Sequence, residues 1–292
     1  MKLGLGTVQF GLNYGISNSL GQTTSSEISS ILKVAQKNGI RFLDTAAGYG
    51  DSERLLGENL STKSNFEIIT KVPSVNSAQE LNAAFLGSLA RLNQAQVYGL
   101  LFHRVEDLLS PVGGELMKAM QELKENGKVR KIGVSVYTGD EIDRVLENFS
   151  VDLIQVPINV LDQRLLQSGH LKRLKEQGVE VHARSVFLQG LLLMDPSDLA
   201  PRFESIRKHL VGFNGFLKAR NLSRLSALAG FVAAIPEIDV VLCGVNTSDQ
   251  LNEICDQFNG SSAHLTSDLD GIQNFSISDP QILNPSNWKN PS

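Results

Sequence analysis

The chain has 292 residues, of which 41% are hydrophobic and 20% charged, and both proportions are close to the average for folded soluble proteins. Its formal net charge is −4 and its basic residues are scattered, so no electrostatic feature favours binding to nucleic acid or to an anionic membrane. The chain has no apolar run long enough to span a bilayer and enters a strand-like segment without a basic, hydrophobic signal sequence, so we expect a cytoplasmic protein.

Cysteine and histidine usage gives no sign of a metal enzyme. Cys243 falls in a strand-like run and Cys255 on the apolar side of a predicted helix, so we expect both to be buried free thiols. The five histidines show no paired spacing of the kind that metal ligands adopt. We therefore predict no metal site.

One unit recurs along the chain: a short apolar strand, a polar turn, a helix with an N-terminal capping signal, and the next strand. Eight strands are predicted, near residues 2–7, 40–45, 66–72, 97–103, 130–136, 152–158, 179–186 and 239–245. Four helix starts match the capping box, in which a hydroxyl and the side chain three residues later each satisfy a backbone amide: Thr24 with Glu27, Ser77 with Glu80, Thr138 with Glu141, and Thr247 with Gln250. Eight such units favour one α/β domain over residues 1–292, a (β/α)8 TIM barrel, with a doubly wound open sheet as the alternative.

Two segments are longer than a minimal barrel needs. Residues 187–205 follow the seventh predicted strand and contain two proline turns, which predicts a long loop over the C-terminal face. Residues after about 260 are rich in Asn, Asp, Ser and Pro, which predicts an irregular C-terminal tail. Long loops on this face commonly carry substrate contacts, although a surface excursion without a role is the alternative.

Four polar side chains stand where predicted strands end. Asp44 ends the second strand, Tyr49 lies on the loop after it, Lys71 ends the third strand and His103 ends the fourth. Taken singly, each has a structural explanation, as a turn or cap residue, a solvated charge or a core histidine. Because the C-terminal ends of parallel barrel strands face the same side, we expect the four to converge on one site.

These four residue types suit proton transfer to a carbonyl oxygen. Tyrosine is a weak acid, with an ordinary pKa of about 10, and we expect a neighbouring cation to lower that pKa. Lys71 can supply the cation, Asp44 can hold Lys71, and a neutral His103 can donate a hydrogen bond to a substrate carbonyl. We therefore predict carbonyl reduction, in which a bound donor gives hydride to carbon and Tyr49 gives the proton to oxygen.

Several short stretches around these residues carry a resemblance to one family: Asp44-Thr45-Ala46, Tyr49-Gly50, Ser52-Glu53, Leu56-Gly57, Lys71 in Thr-Lys-Val, and His103 in Leu-Phe-His-Arg. From Leu3 to about Phe258 the chain resembles the aldo-keto reductase superfamily. The resemblance implies a (β/α)8 barrel and an oxidoreductase that reduces aldehydes or ketones with a nicotinamide cofactor. It implies the same four catalytic roles, and a small carbonyl substrate such as an aldehyde, a ketone or a keto-sugar.

The resemblance also implies a set of cofactor contacts: Gly6, Thr7, Val8, Asp44, Ser135, Gln155, Arg184, Ser185, Phe187, Gly190, Gly244, Asn246, Gln250 and Glu253. Arg184 stands where family members usually have an aromatic residue. A guanidinium is planar and can stack, but it repels an oxidised, cationic nicotinamide, so we predict a preference for the reduced cofactor.

The adenosine end of this set departs from the family pattern. Gly244-Val245-Asn246-Thr247 and Gln250 stand where many members have the Lys-Ser and Arg that hold a 2′-phosphate. The helix start after Thr247 can still attract an anion. The resemblance as a whole favours NADP(H), with NAD(H) as the alternative.

Two other functions stay open at this point. A class I aldolase would also use a barrel lysine, with Lys71 forming a Schiff base. A nicotinamide-binding regulatory subunit, resembling the potassium-channel β subunits of the same family, would bind cofactor with little turnover. The sequence leaves the oligomeric state open.

Overall fold

A computed structural model describes residues 2–60, 64–260 and 269–288 of the chain. Eight parallel strands pair in chain order, and β8 pairs with β1, so the sheet closes into a barrel. The strands are β1 (Lys2–Gly6), β2 (Phe42–Asp44), β3 (Glu67–Val72), β4 (Val97–Phe102), β5 (Val129–Ser135), β6 (Leu153–Pro157), β7 (Glu180–Arg184) and β8 (Val240–Gly244). All eight predicted strands are present, so the (β/α)8 prediction is confirmed and the open sheet is wrong.

Helices surround the barrel. They are α1 (Val8–Gly11), α2 (Ser25–Lys37), α3 (Ser52–Asn59), α4 (Ala78–Leu92), α5 (Val105–Leu108), α6 (Gly113–Glu125), α7 (Gly139–Asn148), α8 (Arg164–Gln167), α9 (His170–Glu176), α10 (Glu204–Ala219), α11 (Arg224–Ala233), α12 (Ser248–Gly260) and α13 (Pro280–Leu283). No helix among the described residues is both long and apolar enough to cross a membrane, and none of their His, Cys, Asp and Glu side chains form a group of three suited to a metal ion.

The predicted capping hydroxyls are in place, but only one helix start is a complete capping box. Thr138 accepts from the Glu141 amide and the Glu141 carboxylate accepts from the Thr138 amide. At α2, Thr24 caps the helix as expected, whereas the Glu27 carboxylate accepts a hydrogen bond from the distant Ser248 amide. Local spacing therefore predicted the helix starts correctly and missed where the Glu27 side chain goes.

The barrel interior explains why polar residues meet at one end of it. A small apolar cluster fills the interior: Phe42, Ile69, Leu101, Leu153, Val240 and Leu242. Side chains alternate between the two faces of a strand, so the residue two positions after an interior residue also points inward. Three of these interior residues are followed in this way by a predicted catalytic residue: Phe42 by Asp44, Ile69 by Lys71, and Leu101 by His103.

The segment after β7 is more ordered than the predicted loop. Residues 188–193, 196–198 and 201–203 form 3-10 turns, and α10 begins at Glu204, inside the predicted 187–205 loop. Gly190 has a φ of +90°, and a Cβ there would lie 1.8 Å from the Ser17 hydroxyl, so this close approach to the loop after β1 requires glycine.

Part of the predicted tail, residues 261–268 and 289–292, lies outside the described residues. The rest, 269–288, contains short turns and α13. Both cysteines are buried and free, as predicted.

Candidate active site

A cavity of about 700 Å³ opens at the C-terminal end of the barrel. Its wall includes Asp44, Tyr49, Lys71 and His103, so the four predicted catalytic side chains do converge. A volume of this size falls within the range of small-molecule sites, about 300–1,000 Å³.

Lys71 is the centre of the polar group in this cavity. Its Nζ lies 2.6 Å from Asp44 Oδ2, 3.0 Å from the Thr45 carbonyl oxygen and 3.5 Å from Tyr49 Oη. Lys71 is only 2% exposed. Burial lowers its pKa, and the adjacent Asp44 carboxylate opposes that shift. The pair is thus a buried cation held in place by an anion.

The pKa of Tyr49 differs from our expectation. Desolvation of the phenol, followed by the negative charge of Asp44, raises its pKa well above the usual range. Lys71 does not bring the expected lowering of this pKa, because desolvation of the buried phenol is the largest effect. The phenol therefore holds its proton at neutral pH. Among the described residues this hydroxyl accepts from Lys71 and has no acceptor for its own proton.

His103 stands beside the phenol. Its ring packs edge to face against Tyr49, with centroids 5.6 Å apart. Burial and the positive charge of Lys71 lower the pKa of His103 to about 4. The imidazole is consequently neutral at pH 7, which is the form that a hydrogen bond to a carbonyl substrate requires.

Arg184 is held by a partner that sequence reasoning missed. Its guanidinium lies 4.1 Å from the centroid of the Tyr137 ring, its Nε donates to Ser135 Oγ at 3.2 Å, and its Nη2 donates to the Val136 carbonyl at 3.1 Å. Tyr137 lies two residues beyond the end of β5, so its place after a strand was the one available signal. Arg184 does line the cavity as predicted, stacked on a side chain of the protein itself.

Gln155 is the one predicted site residue that does not line the cavity. It is fully buried behind Asp44, and its Nε2 donates to Asp44 Oδ1. Its Oε1 is buried without a hydrogen-bond partner among the described residues. Buried polar atoms are rarely left unpaired, so this oxygen is an exception among the buried polar atoms next to the site.

The amino-acid sequence is similar to those of known proteins, and this similarity shows the family. The sequence model of the Aldo/keto reductase family matches residues 2–267. The chain belongs to the aldo/keto reductase family. Membership confirms the resemblance that was drawn from the stretches around Asp44, Lys71 and His103. The family is one of oxidoreductases.

Individual relatives are distant. The chain is 27% identical over 217 residues to the NADH-specific methylglyoxal reductase of Escherichia coli, a match that covers 65% of this chain and 65% of that protein. It is 26% identical over 256 residues to L-galactose dehydrogenase of Arabidopsis thaliana, covering 82% of this chain and 80% of that one. The fold is similar to that of an aldo-keto reductase from Bacillus halodurans solved in its holo form, with a TM-score of 0.78, 21% identity, and coverage of 98% and 95% of the two chains.

The remaining predicted cofactor positions of this aldo/keto reductase surround the same cavity: Gly6, Thr7, Val8, Ser135, Ser185, Phe187, Gly190, Gly244, Asn246, Gln250 and Glu253. A Cβ on Gly244 would approach the Gln9 side-chain amide to 2.6 Å, so a side chain there would displace that amide. Tyr14 and Gln189 also line the cavity and were not predicted, because both lie on loops without a strand-end signal.

Hydroxyl groups behind the site join its strands. Ser52 Oγ lies 2.8 Å from Thr7 Oγ1 and 3.1 Å from Thr45 Oγ1, and Thr7 Oγ1 donates to the Asp44 carbonyl at 2.9 Å. All three hydroxyl residues are fully buried. This network ties α3 to the ends of β1 and β2, and so holds the loop that carries Tyr49.

Proposed function

We propose that this aldo/keto reductase-family chain reduces a small aldehyde or ketone to an alcohol, with NAD(P)H as hydride donor and Tyr49 as proton donor. The observation that carries the proposal is the Tyr49 hydroxyl, which lines the cavity beside Lys71 and has no acceptor for its proton among the described residues. General acid catalysis of this kind contributes roughly 10²- to 10⁴-fold to a rate.

The raised pKa of Tyr49 fits this role when the whole proton transfer is considered. A phenol with a raised pKa is fully protonated before the reaction, so Tyr49 always has a proton to donate. Once the proton has moved to the substrate oxygen, a phenolate stands 3.5 Å from Lys71 Nζ. The ammonium then stabilises that phenolate, and Asp44 keeps the ammonium in position.

His103 orients the substrate in this scheme. A neutral imidazole with an N–H directed into the cavity donates a hydrogen bond to the carbonyl oxygen without competing with Tyr49 for the proton. Two donors on one oxygen set the direction of the carbonyl group.

The residues present suit a nicotinamide cofactor. The Ser135 hydroxyl lines the cavity and is suited to bind the carboxamide, while Gln155, on the strand paired with it, holds Asp44. Gly244 leaves the wall at the end of β8 without a side chain. When bound, the reduced nicotinamide supplies the hydride. The resemblance favours NADP(H), yet one relative is named NADH-specific, so the family alone does not decide between the two cofactors.

The Arg184 guanidinium supports the hypothesis of a preference for the reduced cofactor, because it places a positive charge in the cavity wall. Calorimetric titration with both redox forms tests this directly. Equal or tighter binding of the oxidised form would contradict it.

The central experiment is cofactor oxidation over a panel of aldehydes, ketones and keto-sugars, including methylglyoxal and glyoxal, with NADPH and NADH in parallel. We expect carbonyl-dependent oxidation with at least one compound class. Tight cofactor binding without any turnover would overturn the enzyme and favour the regulatory subunit.

The Schiff-base aldolase is the weaker candidate on geometry. Lys71 Nζ is engaged by Asp44 and by the Thr45 carbonyl, so it is held as a charged group rather than as a free amine. Borohydride trapping with carbonyl substrates tests this. Covalent labelling of Lys71 during turnover would replace the reductase with the aldolase.

A further inference from the structure

The start of α12 holds a carboxylate that comes from another part of the chain. Glu27 lies on α2, yet its Oε1 accepts a hydrogen bond from the backbone amide of Ser248, the first residue of α12, at 2.5 Å. The two residues are 221 positions apart. Asn246 and Gln250, on either side of Ser248, both line the cavity. Glu27 itself does not line the cavity, but its carboxylate is bonded to the backbone midway between two residues that do.

Two further amides near this helix start also have acceptors within the chain. The Asn246 amide donates to Gln250 Oε1 at 2.8 Å, and the Gln250 amide donates to Thr247 Oγ1 at 3.2 Å. A helix start attracts anions through free amides and the positive end of its dipole. Here three amides already have acceptors and a carboxylate lies at the positive end of the dipole, so the anion attraction expected after Thr247 is weakened.

The charges near this end of the cavity are negative. Glu253 lines the wall, and Asp249 is in the first turn of α12. The cations among the described lining residues are Lys71, which is paired with Asp44, and Arg184, which is bound to Ser135 and Val136. No described cation of the wall stands at α12 to balance a second anion.

From this arrangement we infer that Glu27 makes the protein prefer NADH over NADPH. The inference rests on the proposed function, which takes a nicotinamide dinucleotide as the ligand, and on the cofactor contacts at Gln250 and Glu253 that the resemblance implies for its adenosine end. A carboxylate accepts a hydrogen bond from a ribose 2′-hydroxyl, whereas it repels a 2′-phosphate of charge near −2. The preference is opposite to the NADP(H) choice that the family resemblance favours.

Binding is the readout that isolates this effect. Isothermal titration of the full chain with NADH and NADPH, and with the fragments 5′-ADP and 2′,5′-ADP, compares ligands that differ at the 2′ position. We expect the wild type to bind the 2′-hydroxyl form about 10- to 100-fold more tightly in both pairs. Added salt is expected to narrow the gap by screening the repulsion.

The variant Glu27→Gln removes the charge and keeps an oxygen that accepts from the Ser248 amide. We expect the preference to fall about 10-fold, because binding of NADPH and 2′,5′-ADP strengthens. Asp256→Asn is the matched control, since it removes the same charge from an exposed position further along α12 and should leave the ratio unchanged. Should Glu27→Gln fail to fold, the wild-type ratio and its salt dependence still decide the matter.

The outcomes separate this inference from the proposed function. Equal or tighter binding of NADPH by the wild type overturns the role of Glu27, as does an unchanged ratio in folded Glu27→Gln. Binding of NADH with the expected preference, but without reduction of any carbonyl compound, supports the inference and removes the reductase. Failure of both dinucleotides to bind overturns both.

Discussion

The two ends of the barrel carry the same four kinds of side chain. The C-terminal cluster comprises Tyr49, Lys71, Asp44 and His103; the N-terminal cluster comprises Tyr98, Lys131, Glu180 and His182. Each contains a phenol, an ammonium, a carboxylate and an imidazole. Only the C-terminal cluster lines the large cavity.

Glu180 is the centre of the N-terminal cluster. It accepts from Tyr98 Oη at 2.8 Å, shares a 2.6 Å hydrogen bond with His182 Nε2, and pairs with Lys131 Nζ. Burial tends to raise the pKa of Glu180, but the hydrogen bonds from His182, Lys131 and Tyr98 outweigh it and lower the pKa to about 2. Burial and the hydrogen bond to Glu180 in turn raise the pKa of Tyr98. Tyr98, His182 and Lys131 are therefore all bonded to the Glu180 carboxylate.

The difference lies in where each tyrosine proton goes. The Tyr98 proton is committed to Glu180, whereas the Tyr49 proton has no acceptor among the described residues and faces the cavity. Residue types alone therefore do not make a proton-transfer site. A proton-transfer site also needs a donor that has no acceptor within the protein and that faces a cavity. The N-terminal cluster lacks such a donor and has a structural role.

The largest expected effect separates the two tyrosines. Tyr49→Phe should lower kcat/KM for carbonyl reduction by about 10²- to 10⁴-fold, because it removes the acid, while cofactor binding measured by titration changes little. Tyr98→Phe is the matched control. It should keep kcat/KM and lower the free energy of unfolding by about 1.5–3 kcal/mol, through loss of a hydrogen bond to a charged group. Wild-type turnover in Tyr49→Phe would refute the proton-donor assignment.

The lysines provide a second contrast. Lys71→Met leaves Asp44 as a buried carboxylate without its cation, so we expect a loss of roughly 3–5 kcal/mol in stability and a fall in turnover of at least about 10²-fold. The Lys131 side chain is 31% exposed, so Lys131→Met should cost about 1 kcal/mol and leave turnover unchanged. Chemical denaturation and steady-state kinetics measure both. Equal effects of the two variants on turnover would contradict the claim that only the C-terminal cluster takes part in catalysis.

The stability that the N-terminal cluster provides should depend on pH through Glu180. Its folded pKa of about 2 is below the unfolded value, so its stabilisation is complete above about pH 4.5 and is lost as pH falls towards 2. Glu180→Gln should therefore be about 3 kcal/mol less stable than the wild type at pH 7 and nearly equal to it near pH 2. Denaturant titrations across this pH range test the sign. A gap that stays constant with pH would show that the carboxylate charge is not responsible.

The smallest effect concerns His103. Because its pKa is about 4, the imidazole stays neutral from pH 5.5 to 8, and we expect no step in kcat/KM from this group in that range. Titration followed by NMR of the imidazole should show protonation near pH 4. Its depressed pKa also means that the folded state loses stability as pH falls from about 6.5 towards 4, since only the unfolded state takes up the proton there. A measured pKa near 6.5 would contradict the desolvated position.

Much of this molecule was predictable because its signals are local. Apolar runs, capping hydroxyls and turn glycines identified every strand of the barrel. The position of Asp44, Lys71 and His103 at strand ends then implied a shared site, since parallel strands end on one side. The signals failed for side chains whose partners are distant in sequence, such as Tyr137 beneath Arg184 and Gln155 behind Asp44.

The sequence by itself thus determined the barrel, the family and the four residues at its C-terminal end, because periodicity and strand-end position are properties of neighbouring residues. Only the tertiary structure decided the protonation of those residues and the charge at the start of α12. The pKa of Tyr49 depends on how fully its surroundings exclude water and on how close Asp44 stands, and neither is written in local spacing. The hydrogen bond between Glu27 and Ser248 likewise joins α2 to α12, two helices that are distant in sequence. They come together because β8 pairs with β1 and closes the barrel.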